Sequence, residues 1–132
     1  MVLTILGIAG AIAIPKFSGI ISAGRLDRAM DGLAADLSLA RVRAVRDNRE
    51  TAVRIDSNSR YVLYVNTGSG QAADTVKRVA IQTSYPGVTL SPVTITFDSR
   101  GMLRSGVTVT ATQGTRTRTL SITGLGRVYR DY

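Results

Sequence analysis

The sequence predicts an α+β fold, one long N-terminal helix laid along an antiparallel β-sheet. Two patterns carry this expectation. Leu26, Met30, Leu33, Leu37, Ala40 and Ala44 recur in steps of four and three, which places them on one helix face. From Thr51 onward the chain changes to short runs rich in Val, Ile, Thr and Tyr, separated by turn residues. With neither an internal repeat nor a dividing linker, the 132 residues read as one helix and one small β region sharing a core.

The helix is expected from Met1 to about Arg46, a rod of about 70 Å at the usual rise per residue. Its first part, Met1–Ile14, is uncharged, and Thr4 is its one polar side chain. Pro15 and Lys16 follow, and the amphipathic pattern then sets in. Arg25, Asp27, Arg28, Asp31, Asp36, Arg41, Arg43, Arg46 and Asp47 are assigned to the faces away from the apolar stripe. Residues 1–24 are thus read as a hydrophobic membrane or filament segment, and 25–132 as a globular domain with an amphipathic helix over 25–47 and a β region over 51–130. Asp47-Asn48-Arg49 continue a helix poorly and mark its end.

The strands follow in order. Thr51–Asp56 and Arg60–Val65 flank Ser57-Asn58-Ser59 as a hairpin, and Asn66–Asp74 is a polar Gly/Ser loop. Val76–Thr83, Gly87–Leu90 and Val93–Phe97 come next, with Pro86 and Pro92 marking breaks or edges. Asp98-Ser99-Arg100-Gly101 reads as a turn into extended Met102–Arg104 and Val107–Thr112. Gln113-Gly114 turns the chain into Arg116–Thr123, and Arg127–Arg130 closes it.

Composition removes several kinds of chemistry. Without histidine or cysteine, ordinary zinc sites and Ser-His or Cys-His nucleophile pairs are impossible. Gly68-Ser69-Gly70 lacks the residues of a phosphate-binding loop, and Asp56 with Asn58 lacks the remaining oxygens of a calcium loop. Lys16 and Lys77 are the only lysines that could serve a Ser-Lys pair, and Lys16 belongs beside the apolar segment. No enzyme activity, cofactor, metal or small-molecule substrate is expected. The net charge of +8 is uneven, with residues 76–132 holding +6 of it. In Arg116-Thr117-Arg118-Thr119 the alternation puts both arginines on one sheet face, and Arg127 and Arg130 follow beside Tyr129 and Tyr132. Arginines so spaced can meet successive phosphates while tyrosine stacks on an unpaired base; a solvated strand face, the more common case, accounts for them as well.

Met1–Ile14 is shorter than the roughly 20 residues that span a bilayer, so a signal-peptide core and a buried helix are alternatives. The run Val2-Leu3-Thr4-Ile5-Leu6-Gly7-Ile8 through Phe17 resembles the N-terminal signature of type IV pilins and type II secretion pseudopilins. Ile14-Pro15-Lys16-Phe17 matches the Ile-Pro-x-Phe step that closes the membrane half in that signature. The block that opens the mature family protein, with its glutamate, has no counterpart here, and the reading frame is expected to continue upstream of Met1. Leu39-Ala40-Arg41 through Asn48, Val53-Arg54-Ile55-Asp56, Phe97 to Gly101, and Ile122-Thr123-Gly124 to Arg127-Val128 are similar to landmarks of GspH/FimT-type minor pseudopilins.

The resemblance implies a pilin-like fold and a minor pilin or pseudopilin of a type IV pilus or type II secretion pseudopilus. Such a protein is a single-pass protein of the bacterial inner membrane with a periplasmic domain. Its partners are other pilins, met through Leu3, Ile5, Leu6, Gly7, Ile8, Ile12, Ile14, Pro15 and Phe17, and the membrane itself. The Gly-Arg-rich end of FimT-type members resembles Gly126-Arg127-Val128-Tyr129-Arg130, which implies DNA contact through Arg116, Arg118, Arg127 and Arg130 as the alternative role. A secreted β domain behind a signal peptide is the third.

Overall fold

The computed structural model describes the backbone of residues 2–56, 60–65 and 74–131 and the side chains of 24–56, 60–65 and 74–130. The turn Ser57-Asn58-Ser59, the loop through Gly68-Ser69-Gly70, the side chains of Leu3 to Phe17, and Tyr132 lie outside these described residues. Helix α1 runs Val2–Asp47. It ends where Asn48 takes a left-handed φ of 51°, and Arg49 N–H donates back to Ala44 O at 3.1 Å, a closure that satisfies a terminal carbonyl.

The β region is α+β as expected, but it forms two sheets rather than one. β1 (Thr51–Asp56), β2 (Arg60–Val65), β3 (Asp74–Ala80) and β5 (Val93–Phe97) make an antiparallel sheet in the order β3-β2-β1-β5. β4 (Thr89–Leu90), β6 (Val107–Gln113), β7 (Arg116–Ile122) and β8 (Val128–Asp131) make the other, in the order β4-β6-β7-β8. Helix α1 touches β1, β2 and β5 of the first sheet and β6, β7 and β8 of the second.

The predicted stripe is the seam between helix and sheets. Leu26, Met30, Leu33, Leu37, Ala40 and Ala44 are all fully buried. Alternate residues of the strands meet them: Val53, Ile55, Leu63, Ile95 and Phe97 from one sheet, Val109, Ala111, Leu120 and Ile122 from the other.

Two expected strands are corrected. Val76–Thr83 is β3 only to Ala80; Ile81–Ser84 is a helical turn, α2. Ile81 is fully buried, and the turn lets the Gln82 side-chain amide donate to Val88 O at 2.9 Å. Met102–Arg104 joins no ladder. Met102 N–H donates to Asp98 Oδ1 at 3.0 Å and Met102 O accepts from Asp98 N–H at 2.9 Å, so local turn bonds satisfy the backbone instead.

Because Leu33 and Leu37 are completely enclosed, either one changed to Ala should lower stability by about 2–5 kcal/mol. Denaturant unfolding monitored by circular dichroism measures this, and an unchanged midpoint in both variants contradicts the seam.

Candidate interaction surface

The four C-terminal arginines start from the register of β7. Leu120 and Ile122 point into the core, so Arg116 and Arg118, at the same parity, take the side that faces α1. The shared face predicted for them is real, but it is the helix-facing one. Arg118 Nε donates to Asp27 Oδ1 at 3.1 Å, and Arg130 Nη1 lies 2.7 Å from Asp31 Oδ1. Asp27 and Asp31 stand one helical turn apart, and Arg130 pairs with Leu120 in the β7–β8 ladder. The two ion pairs are successive rungs from α1 to the end of the second sheet.

Asp27 and Asp31 thus engage arginines of the β region from the polar side of the helix. Both pairs are substantially solvent-exposed, so each is worth roughly 0–1 kcal/mol. Arg127 is exposed, and its side chain makes no ion pair among the described residues.

Farther along α1, Arg41 joins two loops. Its Nε donates to Gly101 O at 3.2 Å. Gly101 (φ 75°) and Gly126 (φ 78°) both take left-handed backbone conformations. A Cβ on Gly126 would collide with the Gly101 carbonyl and crowd the Arg41 side chain. Leu103 N–H donates to Gly124 O at 2.9 Å, which ties the two loops together. Asp98 holds the first loop through Oδ1, accepting from Arg100 N–H at 2.9 Å and from Met102 N–H. The Met102 bond, followed by that from Arg100, keeps its carboxyl below the usual range despite some desolvation. The runs Phe97–Gly101 and Ile122–Val128 therefore build a double loop docked on the helix. Beside it, between α1 and β8, lies an open groove of about 330 Å³ lined by Arg41, Val42, Arg127, Val128 and Tyr129 among others.

A third cluster escaped the sequence pattern. Asp36, assigned to an outer helix face, is 5% exposed. Its Oδ2 accepts a short hydrogen bond from the Tyr61 hydroxyl, and its Oδ1 accepts from Lys77 Nζ at 2.8 Å. Burial, reinforced by the Asp36 carboxylate, pushes the Tyr61 hydroxyl far above its ordinary value, so it remains a proton donor. Asp36 thus anchors β2 and β3 to α1. Its position one residue before Leu37 shows that the buried arc of the helix is wider than the apolar stripe. Among the described residues no group of three or more acidic side chains could hold a metal ion.

Among the described residues no helix is long and apolar enough to cross a bilayer. The side chains of the apolar run Val2–Ile14 lie outside them.

A family model described as "Type II transport protein GspH" matches residues 29–126. Two crystal structures of the type IV minor pilin FimU from Pseudomonas aeruginosa are similar in fold. The form in space group P21 has 21% identity and a TM-score of 0.69, over 83% of this chain and 90% of that one. The P65 form has 22% identity and a TM-score of 0.65, over 81% of this chain and 93% of that one. No curated protein matches the sequence.

Proposed function

The chain belongs to the GspH family, and from that premise we propose that it is a minor pilin or pseudopilin, a structural subunit of a type IV pilus or type II secretion pseudopilus. One observation carries the reading: α1 is continuous from Val2 to Asp47, and the stripe from Leu26 to Ala44 that seats on the sheets lies in its C-terminal half. The first half of the same helix precedes that stripe, and its sequence from Val2 to Ile14 is uncharged. Before assembly this half sits in the inner membrane with the β domain on the periplasmic side. On assembly it exchanges lipid for like helices, and Gly7 and Gly10 permit close approach. Gly7, Gly10 and Pro15 also make it easier to bend there.

The chain has no cysteine, so single substitutions give clean cross-links. Leu6→Cys, expressed in the native host with cysteine-bearing pilins, should form disulfides to them and appear in the sheared filament fraction. Recovery only as a periplasmic protein cleaved near the end of the apolar run, as a signal peptide is, would support the secreted-domain alternative and end the filament reading.

Contact with DNA through Arg116, Arg118, Arg127 and Arg130 is a second possibility, favoured by Arg127 standing exposed beside half-exposed Tyr129. With Arg118 and Arg130 already engaged by Asp27 and Asp31, binding should be weak and independent of sequence. Its salt dependence should be shallower than the slope of about −3.6 that four phosphate contacts give. Anisotropy titrations of duplex DNA at several salt concentrations measure this; no binding at low salt removes the DNA role.

A further inference from the structure

The large apolar side chains that are well exposed among the described residues are Leu39, Val42, Val45, Leu125 and Tyr129. Val42, Val45, Leu125 and Tyr129 lie at a groove or at the loops beside it. Val42 and Tyr129 line the groove between α1 and β8. Leu39 and Val45 lie three residues on either side of Val42 along the helix, and Val45 reaches the loop at Gly101. Leu125 precedes Gly126, which forms part of the groove wall. Apolar surface this concentrated, on a domain whose other large apolar side chains among the described residues are buried or only partly exposed, marks an interaction face.

The charges at the groove are of one sign. Among the described residues the charged side chains lining it are Arg41 and Arg127, and no carboxylate does. We propose that this face docks an acidic amphipathic helix belonging to a different protein chain, with apolar anchors seated against Val42, Leu125 and Tyr129 and carboxylates meeting Arg127 and the Arg41 guanidinium. Anchors at helical spacing match a groove that itself runs beside a helix. A second copy of this chain fits poorly, since symmetrical pairing sets Arg41 and Arg127 against their own counterparts on a molecule of net charge +8. A nucleic-acid backbone fits less well too, because Val42 and Leu125 would desolvate phosphates without pairing them. The inference rests on the filament reading, in which the domain stands beside other subunits, and it names what the neighbour presents.

The test uses the full chain in phosphatidylcholine nanodiscs, with empty discs as blanks. The probe is a fluorescein-labelled synthetic helix of about eighteen residues, leucine at i, i+3, i+4 and i+7 and glutamate on its other faces. Saturable binding is expected, and a lysine-for-glutamate version should bind at least about tenfold more weakly. Val42→Asp combined with Tyr129→Ala should also weaken binding by about tenfold or more. Arg127→Glu should weaken it at low salt, with the difference shrinking as salt rises. Val42 and Tyr129 are 60% and 50% exposed, so the double variant should keep its circular dichroism spectrum. Arg54→Glu, on the outward side of β1, should bind like the wild type.

Equal affinity for the acidic and basic peptides overturns the proposal, as does undiminished binding by the Val42/Tyr129 variant. Self-association abolished by Val42→Asp would assign the face to a second copy. Binding of a single-stranded oligonucleotide but not the peptide, lost in Arg127→Glu, would assign it to nucleic acid. A chain that enters filaments yet ignores the peptide ends this inference alone; one that binds the peptide but never enters filaments ends the filament reading instead.

Discussion

The structure depends on one constraint: two sheets that share no hydrogen-bonded ladder bury their inner faces against the same helical stripe. Neither sheet has a second layer of its own within the described residues. Leu26, Met30, Leu33, Leu37, Ala40 and Ala44 supply it for both. The helix is therefore scaffold as well as connector. Polar contacts fasten each sheet at its own place along the rod, Asp36 to Tyr61 and Lys77 for one, Asp27 and Asp31 to Arg118 and Arg130 for the other.

That arrangement links packing to assembly. Because α1 is one element from Val2 to Asp47, the orientation of the domain is coupled to the helical half that precedes it. The double loop at Arg41, Gly101 and Gly126 sits near the other end of the rod, where close backbone approach demands glycine. Family-like residues in these loops thus have a structural explanation, and the exposed apolar residues around them remain for contact with other molecules.

What could be read in advance follows the range of each signal. The helix stripe repeats over a few residues and registers correctly: Leu33 and Leu37 are core. The division into two sheets is a matter of long-range pairing, β1 with β5 and β4 with β6, which no local pattern contains. The same holds for Arg118 and Arg130. The common face of Arg116 and Arg118 was legible from alternation, whereas the carboxylate that Arg118 meets comes from a helix 91 positions earlier. Asp36 was misplaced because a charged residue beside an apolar stripe is ordinarily solvated, and its partners Tyr61 and Lys77 lie on strands distant in sequence. The extended reading of Met102–Arg104 failed because the Asp98 side chain captures the backbone in a turn.

The dependence of both sheets on one helical face is tested most directly by native-state amide hydrogen exchange on the full chain. If the seam is shared, the slowest amides of β1, of β7 and of α1 between Asp27 and Ala44 should open together, with a single free energy equal to that of global unfolding. Protection of β1 that persists while β7 exchanges through a separate, less costly opening would contradict it, and would mean that each sheet holds its own fold.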